Sequence, residues 1–442
     1  MTYSEAITYL YGLQRYGVKL GLENIHRLLA AVGDPHRQFP SILIGGTNGK
    51  GSTAAFLSSI LQAAGHRVGL YTSPHLLEFR ERIQINGQPI TEADVASLVD
   101  KLRPVISDLF PTPYALHPTP SIISHPTFFE VTTALAFLHF VRSKVEYAVV
   151  EVGMGGRFDA TNVLDAQVAV VTNIALEHEE YLGTTLGAIA AEKAGIIKQA
   201  TRVVTAVEAP EALAVMTEVC HARGAILFDI RNAYDWRIHR SDLSGQRFSA
   251  GEKGQPSDTF EIPLLGRHQV VNAITAVAAA RLLRTAGAAI SERSIRDGLR
   301  RTQWPGRLQL FLGQPLLILD GAHNPAGAAA LGAFLVEQRF SGRVTLVFGV
   351  LQDKNWIAML QELAPLAQRV ILTRPENERA ADPRHLAEAE RICPKLEIAE
   401  DVAEAIALAR AVTSPEGAVV VTGSLFVISA ALRALRAHDS RP

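Results

Sequence analysis

Two cysteines, Cys220 and Cys393, are all that 442 residues contain, and they stand far apart. That excludes a disulfide framework and any metal or redox motif built on paired thiols, and it fits a reducing compartment. Neither sign of charge is in excess: 43 basic and 44 acidic residues leave a net charge of −1. A chain with no basic surplus lacks the electrostatic footprint of a nucleic-acid binder, so any basic site has to be local. No apolar run reaches 18 residues, which excludes a membrane-spanning helix. The N-terminus has Glu5 early and no apolar core of the signal-peptide kind. The expectation is a soluble cytoplasmic protein, a monomer, with small molecules rather than nucleic acid or membrane as partners.

What is there is length and hydrophobicity. The chain is longer than one hydrophobic core usually supports, so two domains are expected. Forty-eight per cent hydrophobic residues suit large buried sheets.

The chain is organised around Ser41-Ile-Leu-Ile-Gly-Gly-Thr-Asn-Gly-Lys-Gly-Ser-Thr53. Ile42 to Ile44 reads as a buried strand. Beyond the glycines, Phe56, Leu57, Ile60 and Leu61 recur at helical spacing. Strand, glycine-rich turn and helix together make an anion cradle, with backbone N–H groups and the helix dipole facing the ligand. Gly45, Gly46, Gly49 and Gly51 let the backbone approach phosphate oxygens. Lys50 supplies charge, and Ser52 or Thr53 a hydroxyl for a metal. The pattern G-x-x-x-x-G-K-[ST] is not met, because position 44 is Ile and Gly51 separates Lys50 from Ser52. A bare turn would still have no use for a lysine in its crook, so the reading is a nucleotide site.

Two short helices, Tyr3 to Leu13 and Leu22 to Ala31, precede the loop. After it come a strand at 66–71, a hairpin about Asn86-Gly87, a helix opened by Thr91 and a proline-rich irregular loop over 111–127. Thr127-Phe-Phe-Glu130 is a capping box by its residues alone. Tyr147 to Gly153 and Val168 to Asn173 read as buried strands, which suggests a parallel sheet with ligands at the carboxyl ends of its strands. Glu151, Asn173 and His178 sit at or beyond such ends. Each has a bland alternative, a terminal carboxylate or a loop histidine. With a phosphate loop in the same sheet they point instead to Mg²⁺, which takes oxygen ligands. On the helix from Leu186 to Ile197, periodicity makes Lys193 a solvated charge. Ser241 to Asp258 reads as a surface hairpin or loop, and Leu264 to Asn272 opens an Ala-rich helix.

Thr302 to Arg307 breaks the pattern as a linker. Strands at 316–319, 344–348, 369–372, 396–399 and 418–421 then alternate with helices near Ala326, Trp356, Arg384, Val402 and Phe426. No G-x-G-x-x-G accompanies them, so no dinucleotide is expected there. The fold class expected is α/β: an N-terminal P-loop ATPase-like parallel-sheet domain, residues 1–299, a linker 300–308, and a smaller C-terminal Rossmann-like α/β domain, 309–442.

Taken in order, several motifs resemble the folylpolyglutamate synthase/dihydrofolate synthase family of the Mur ligase superfamily. They are Gly46 to Thr53, Ser73-Pro-His75 with Glu81 to Gly87, Glu151 to Asn162, Glu177-His178 with Leu182 to Leu186, and Glu192 to Ile196. Leu265 to Gln269, Trp304 to Arg307, Asp320 to Pro325 and Thr422 to Ser424 complete the set. The one departure is Glu177, where many members place Asp. The resemblance implies that Thr47, Asn48, Gly49, Lys50, Gly51 and Ser52 hold ATP, with Asn272, Arg307 and Asp320. It implies metal ligation by Ser73, Glu151, His178 and a carbamylated Lys193, for two Mg²⁺ ions, with K⁺ as a further cation. Thr127, Phe128, Phe129 and Glu130 with Phe158, Asp159 and Ala160 would hold the pterin. Lys50, Lys193 and His323 would be catalytic. The first domain would be the Mur-type ATP-binding domain with folate-binding loops, the last the glutamate-ligase domain.

The activity implied is amide ligation: ATP phosphorylates a carboxylate and L-glutamate displaces the phosphate, on dihydropteroate or on reduced folates. Closing two domains would exclude water from the acyl phosphate, with Arg307 contributing to ATP turnover. A polyglutamylating enzyme without the dihydropteroate reaction stays open. A peptidoglycan Mur ligase would need a domain of at least about 50 residues before the loop, where forty stand. A nonenzymatic nucleotide-binding regulator would have no need of Glu151, His178 and Lys193 together.

Overall fold

Ser41–Gly45 forms strand β1, and all five of its residues are buried. The computed structural model describes residues 1–17, 19, 21–111, 125–386 and 395–439. The loop expected over 111–127 lies largely outside these, as do Cys393 and most of the helix expected near Arg384. The chain divides into two compact units. One is 1–236 with 250–260 and 271–302; the other is 237–249 with 261–270 and 303–442.

In the first unit β1 is joined by β2 (Val68–Tyr71), β3 (Ile83–Ile85), β4 (Gln88–Pro89), β5 (Tyr147–Glu151), β6 (Val168–Val171), β7 (Arg202–Thr205) and β8 (Ile226–Asp229). Their order is β4-β3-β2-β5-β1-β6-β7-β8. From β2 to β8 every pairing is parallel. The apolar runs at 42–44, 149–150 and 168–171 are buried throughout, as a parallel sheet covered by helices on both faces requires. β3 and β4 add an antiparallel edge through the Asn86-Gly87 turn, where φ of 49° and 77° give the left-handed pair a tight hairpin needs.

The helix Lys50–Ala63 begins at once after the glycine loop, ahead of Phe56, where its apolar period first shows in the sequence. Against it lies the helix Glu292–Arg301, burying Ile295 and Leu299. The two cross at Gly298, where an added Cβ would stand 2.4 Å from Ile60 Cα, and Ser59 Oγ donates to the Gly298 carbonyl at 2.7 Å. Backbone faces backbone there, so no rotamer can relieve a side chain. Gly298→Val is expected to lower unfolding free energy by about 2–3 kcal/mol, read as a shift in urea midpoint. An unchanged midpoint would show the crossing to be looser than this.

β9 (Tyr234–Asp242), β10 (Gly245–Glu252) and β11 (Asp258–Ile262) form a three-stranded sheet in the order β11-β10-β9. The polar stretch Ser241 to Asp258 is therefore mostly strand. Its inward residues, such as Phe248 and Ala250, are too few to reveal the alternation in sequence.

The second unit carries β12 (Gln309–Phe311), β13 (Leu316–Leu319), β14 (Val344–Phe348), β15 (Ala367–Leu372), β16 (Leu396–Ile398) and β17 (Ala418–Thr422). The order is β12-β13-β17-β14-β15-β16, parallel except for β12. β12 has no expectation in the sequence, because its three residues are only half-buried and make no apolar run. Helices Pro325–Glu337, Trp356–Leu363, Val402–Val412 and Leu425–Asp439 alternate with the strands. The α/β class, with one large and mostly parallel sheet in each unit, is the one expected.

Candidate active site

Strand order reverses about β1, which has β5 on one side and β6 on the other. Segments leaving the carboxyl ends of β2, β5, β1 and β6 therefore share one rim, the place where open α/β sheets bind ligands. They carry Ser73, Glu151, the glycine loop and Asn173.

The loop is hung from the segment after β6. Thr47 N donates to Asn173 O at 2.9 Å, and Asn48 N to Asn173 Oδ1 at 2.7 Å. Thr172 Oγ1 donates to Asn48 O at 2.6 Å, while Thr47 Oγ1 receives Ala175 N at 3.1 Å. Gly46 has φ of 129° and Gly49 φ of 85°, conformations that side-chain-bearing residues rarely adopt. A Cβ on Gly46 would lie 2.1 Å from Thr172 Oγ1, and one on Gly49 2.4 Å from Asn272 Oδ1. Asn272 is thus brought to the loop although it lies 223 positions beyond Gly49 in the chain. Gly49 caps the helix Lys50–Ala63 without any side-chain acceptor, so the dipole's positive end opens on the rim. Lys50 Nζ folds over the loop to Thr47 O at 2.9 Å.

Lys193 is not a solvated charge. It is 3% exposed, and its Nζ donates to Gly46 O at 2.9 Å, on the underside of the same loop. Burial first, and the neighbouring Lys50 second, pull its pKa down to about 7; Glu177 and Asp159 oppose them. Helical periodicity could not show this, since the burial comes from a loop distant in sequence.

Ser73 N donates to Glu151 Oε2 at 3.1 Å, so β2 and β5 deliver these two side by side. Glu151 is buried, at 5% exposure. His178 holds φ of 52° at the start of a one-turn helix, with Nε2 3.9 Å from Glu177 Oε1. Among the described residues no three His, Cys, Asp or Glu side chains gather as a metal site. The Ser73 hydroxyl and the Glu151 carboxylate are oxygen donors of the kind Mg²⁺ takes. Lys193 as an amine or ammonium is not. Carbamylation would give it two oxygens, and an amine near neutrality is able to react with CO₂.

Thr127 and Glu130 do form the capping box: Thr127 N donates to Glu130 Oε2 at 2.7 Å and Glu130 N to Thr127 Oγ1 at 3.2 Å. Burial raises the Glu130 pKa. Phe128 is half-buried, its ring 5.8 Å from Tyr11 and 6.3 Å from Phe79; Phe129 stacks on Tyr71 at 6.0 Å. Phe158 is 40% exposed, Ala160 is buried, and Asp159 accepts from Met154 N and Thr161 N. Sequence reasoning gave no role to Tyr11, His75 and Arg82, which meet beside Phe128. The motifs Ser73-Pro-His75 and Glu81 to Gly87 contain the last two, and no motif contains Tyr11.

In the second unit Asp320 is 7% exposed and accepts from Leu308 N at 2.9 Å and Ala322 N at 3.0 Å. Arg307 Nη1 and His323 Nδ1 both donate to Gly321 O, at 3.0 and 2.8 Å. The carbonyl can only accept, so His323 carries a proton on Nδ1. Asn324 caps the helix Pro325–Glu337, so Arg307, Asp320 and His323 surround a helix start.

The Mur ligase middle domain matches residues 95–280, and the Mur ligase glutamate ligase domain matches 306–425. The dihydrofolate synthase/folylpolyglutamate synthase of Bacillus subtilis is 36% identical over 429 residues, 97% of each chain. Folylpolyglutamate synthase of Mycobacterium tuberculosis, solved with ADP and AMPPCP, shares 33% identity with a TM-score of 0.87, covering 100% of this chain and 99% of that one. Escherichia coli FolC in complex with DHPP and ADP shares 31%, with a TM-score of 0.85 over 100% and 99%. A likeness in sequence and fold that runs from end to end makes this chain a member of the dihydrofolate synthase/folylpolyglutamate synthase family of Mur ligases.

Proposed function

We propose that the protein is an ATP-dependent ligase that joins L-glutamate to dihydropteroate, and to the γ-carboxylate of reduced folates, through an acyl phosphate. The observation that carries this is the buried Lys193 amine on the Gly46 carbonyl, under a glycine loop with Lys50 above it. A turn that bound nothing would not keep two lysines together, one of them buried.

A carboxylate cannot lose oxide to an amine. In the reading proposed, its oxygen attacks the γ-phosphorus of ATP, the bond to ADP breaks, and an acyl phosphate forms. The glutamate nitrogen then attacks the acyl carbon, inorganic phosphate leaves, and the nitrogen gives up its proton. Backbone N–H groups from Thr47 to Ser52 and the Lys50 ammonium would hold the triphosphate and neutralise charge developing on the transferred group. Asn272 would stand by the nucleotide, joined by Arg307 and Asp320. Ser73, Glu151, His178 and carbamylated Lys193 would hold Mg²⁺, which when bound supplies Lewis-acid neutralisation of phosphate oxygens. K⁺ is the further cation in this reading. His323 would face the reacting phosphate. Thr127 to Glu130 and Phe158 to Ala160 would hold the pterin, Glu130 doing so while it caps its helix.

The division of labour proposed is nucleotide chemistry in 1–299 and glutamate ligation in 309–442, in a cytoplasmic monomer with no nucleic-acid partner. Among the described residues no helix is long and apolar enough to cross a membrane. Phosphate release from ATP and Mg²⁺ with L-glutamate tests the proposal, with dihydropteroate and tetrahydrofolate compared as acceptors. Turnover with both is expected. Turnover with tetrahydrofolate alone would remove the dihydropteroate reaction, and none with either, in protein that binds ATP, would overturn the ligase reading.

A further inference from the structure

Arg82 is a buried cation to which the reaction above gives no task. It ends the turn Phe79–Arg82 that leads into β3 and is 8% exposed. Its Nε donates to His75 Nδ1 at 2.8 Å, and its guanidinium carbon lies 5.2 Å from the centre of the Phe128 ring. Among the described residues no carboxylate forms an ion pair with it. A charge withdrawn from water without a counter-ion costs several kcal/mol, and a cation–π contact of about 2 kcal/mol offsets only part of that. Burial accordingly lowers its pKa, while Tyr71, Tyr11, Glu151 and Glu81 raise it.

The neighbours suit a flat acid. His75 accepts at Nδ1, so its neutral ring carries the proton on Nε2, 3.4 Å from the Tyr11 hydroxyl. Tyr11 is 37% exposed and packs on Phe128. Ser73, which touches Glu151, is two residues before His75. The cation therefore sits between an aromatic wall and the rim where the proposed phosphoryl transfer takes place.

We propose that Arg82, fixed in place by His75, binds the carboxylate of the acid acceptor and so selects a free acid over its ester or amide. With Nε occupied, four N–H groups on the two Nη atoms are left, enough for a two-pronged grip. The acceptor would arrive as the missing counter-ion. This inference rests on the ligase reading. The competing role is structural: Arg82 braces His75 and Phe128 and meets no substrate.

The test is steady-state kinetics of Arg82→Gln, together with equilibrium dialysis of dihydropteroate and its methyl ester against wild type and variant. KM for dihydropteroate and for tetrahydrofolate is expected to rise about tenfold to a hundredfold, with KM for ATP within about twofold. The preference for acid over ester should fall by the same factor. Arg82→Lys, which keeps the charge and loses the fork, should retain part of the preference, and it serves if the Gln variant does not fold. An unchanged acid-to-ester preference, or a KM for ATP that rises as much as that for the acid, overturns the proposal. If the wild type turns over neither acid, the ligase reading fails by itself. Dialysis still decides on Arg82, because equal binding of acid and ester by the wild type overturns it.

Discussion

Lys193→Met should lower ligase turnover by about a hundredfold or more and yet leave the protein no less stable at pH 7. The two effects have separate causes. For activity, the variant loses the group proposed to become an anion that holds metal. Short carboxylic acids, which bring an anion back to the gap, should restore part of the turnover in Lys193→Met and none in the wild type. For stability, Lys193 is a buried amine whose pKa is pulled from 10.5 to about 7. At pH 7 that displacement corresponds to a cost of up to about 5 kcal/mol against an exposed lysine. Methionine avoids the cost and forfeits one hydrogen bond to Gly46 O, about 1–2 kcal/mol. Between pH 7 and 10.5 the unfolded chain keeps the proton that the folded protein has lost, so wild-type stability gained through this residue rises with pH. The variant's advantage is therefore complete below pH 7 and fades toward 10.5. Urea midpoints at pH 6.5, 8 and 9.5, in bicarbonate-free buffer, measure it. An advantage that grows with pH would mean the amine is not held as described.

Gly46→Ala should be nearly as damaging, through shape rather than charge. At φ of 129° the new Cβ meets Thr172 Oγ1 at 2.1 Å, Thr172 N at 2.9 Å and Asn173 N at 3.1 Å. Two of these are backbone atoms of the segment that holds the loop, so the loop has to lift. The expected result is a rise in KM for ATP of about tenfold to a hundredfold and a stability loss of about 2–3 kcal/mol. Gly49→Ala is the contrast. Its clash falls on the Asn272 side chain, at 2.4 Å. Asn272→Ala should therefore relieve Gly49→Ala in a double-mutant cycle and do nothing for Gly46→Ala. Additive losses in the Gly49 cycle would show that backbone conformation, not the contact, sets the cost.

The strand, glycines and helix about residue 46 were legible because each has a local cause: an apolar run, residues without Cβ, a 3.6-residue period. The Asn86-Gly87 hairpin and the Thr127–Glu130 capping box are local in the same sense, and both formed. The helix start at Lys50 was not, since its first turn is Lys-Gly-Ser-Thr and shows no apolar period. Nor was the burial of Lys193, whose partner Gly46 lies 147 positions away. Family resemblance gave Lys193 a role that spacing could not. Tyr11, His75 and Arg82 come from a helix, a loop and a turn, and no pattern along the chain announces that they meet. The strands of the six-stranded sheet were read from their apolar runs, except β12, a half-buried three-residue edge strand that pairs with β13.

The way the loop hangs from Thr172, Asn173 and Ala175 bears on what would have to be moved to transplant it. Eight residues from Gly46 to Thr53, placed on a foreign strand and helix, would leave the amides of Thr47 and Asn48 without the acceptors that now fix them. The smallest portable unit is a pair of neighbouring strands, β1 and β6, each with its own carboxyl-terminal extension. A phosphate cradle that looks like a short linear word in the sequence is, in the folded chain, written on two lines at once.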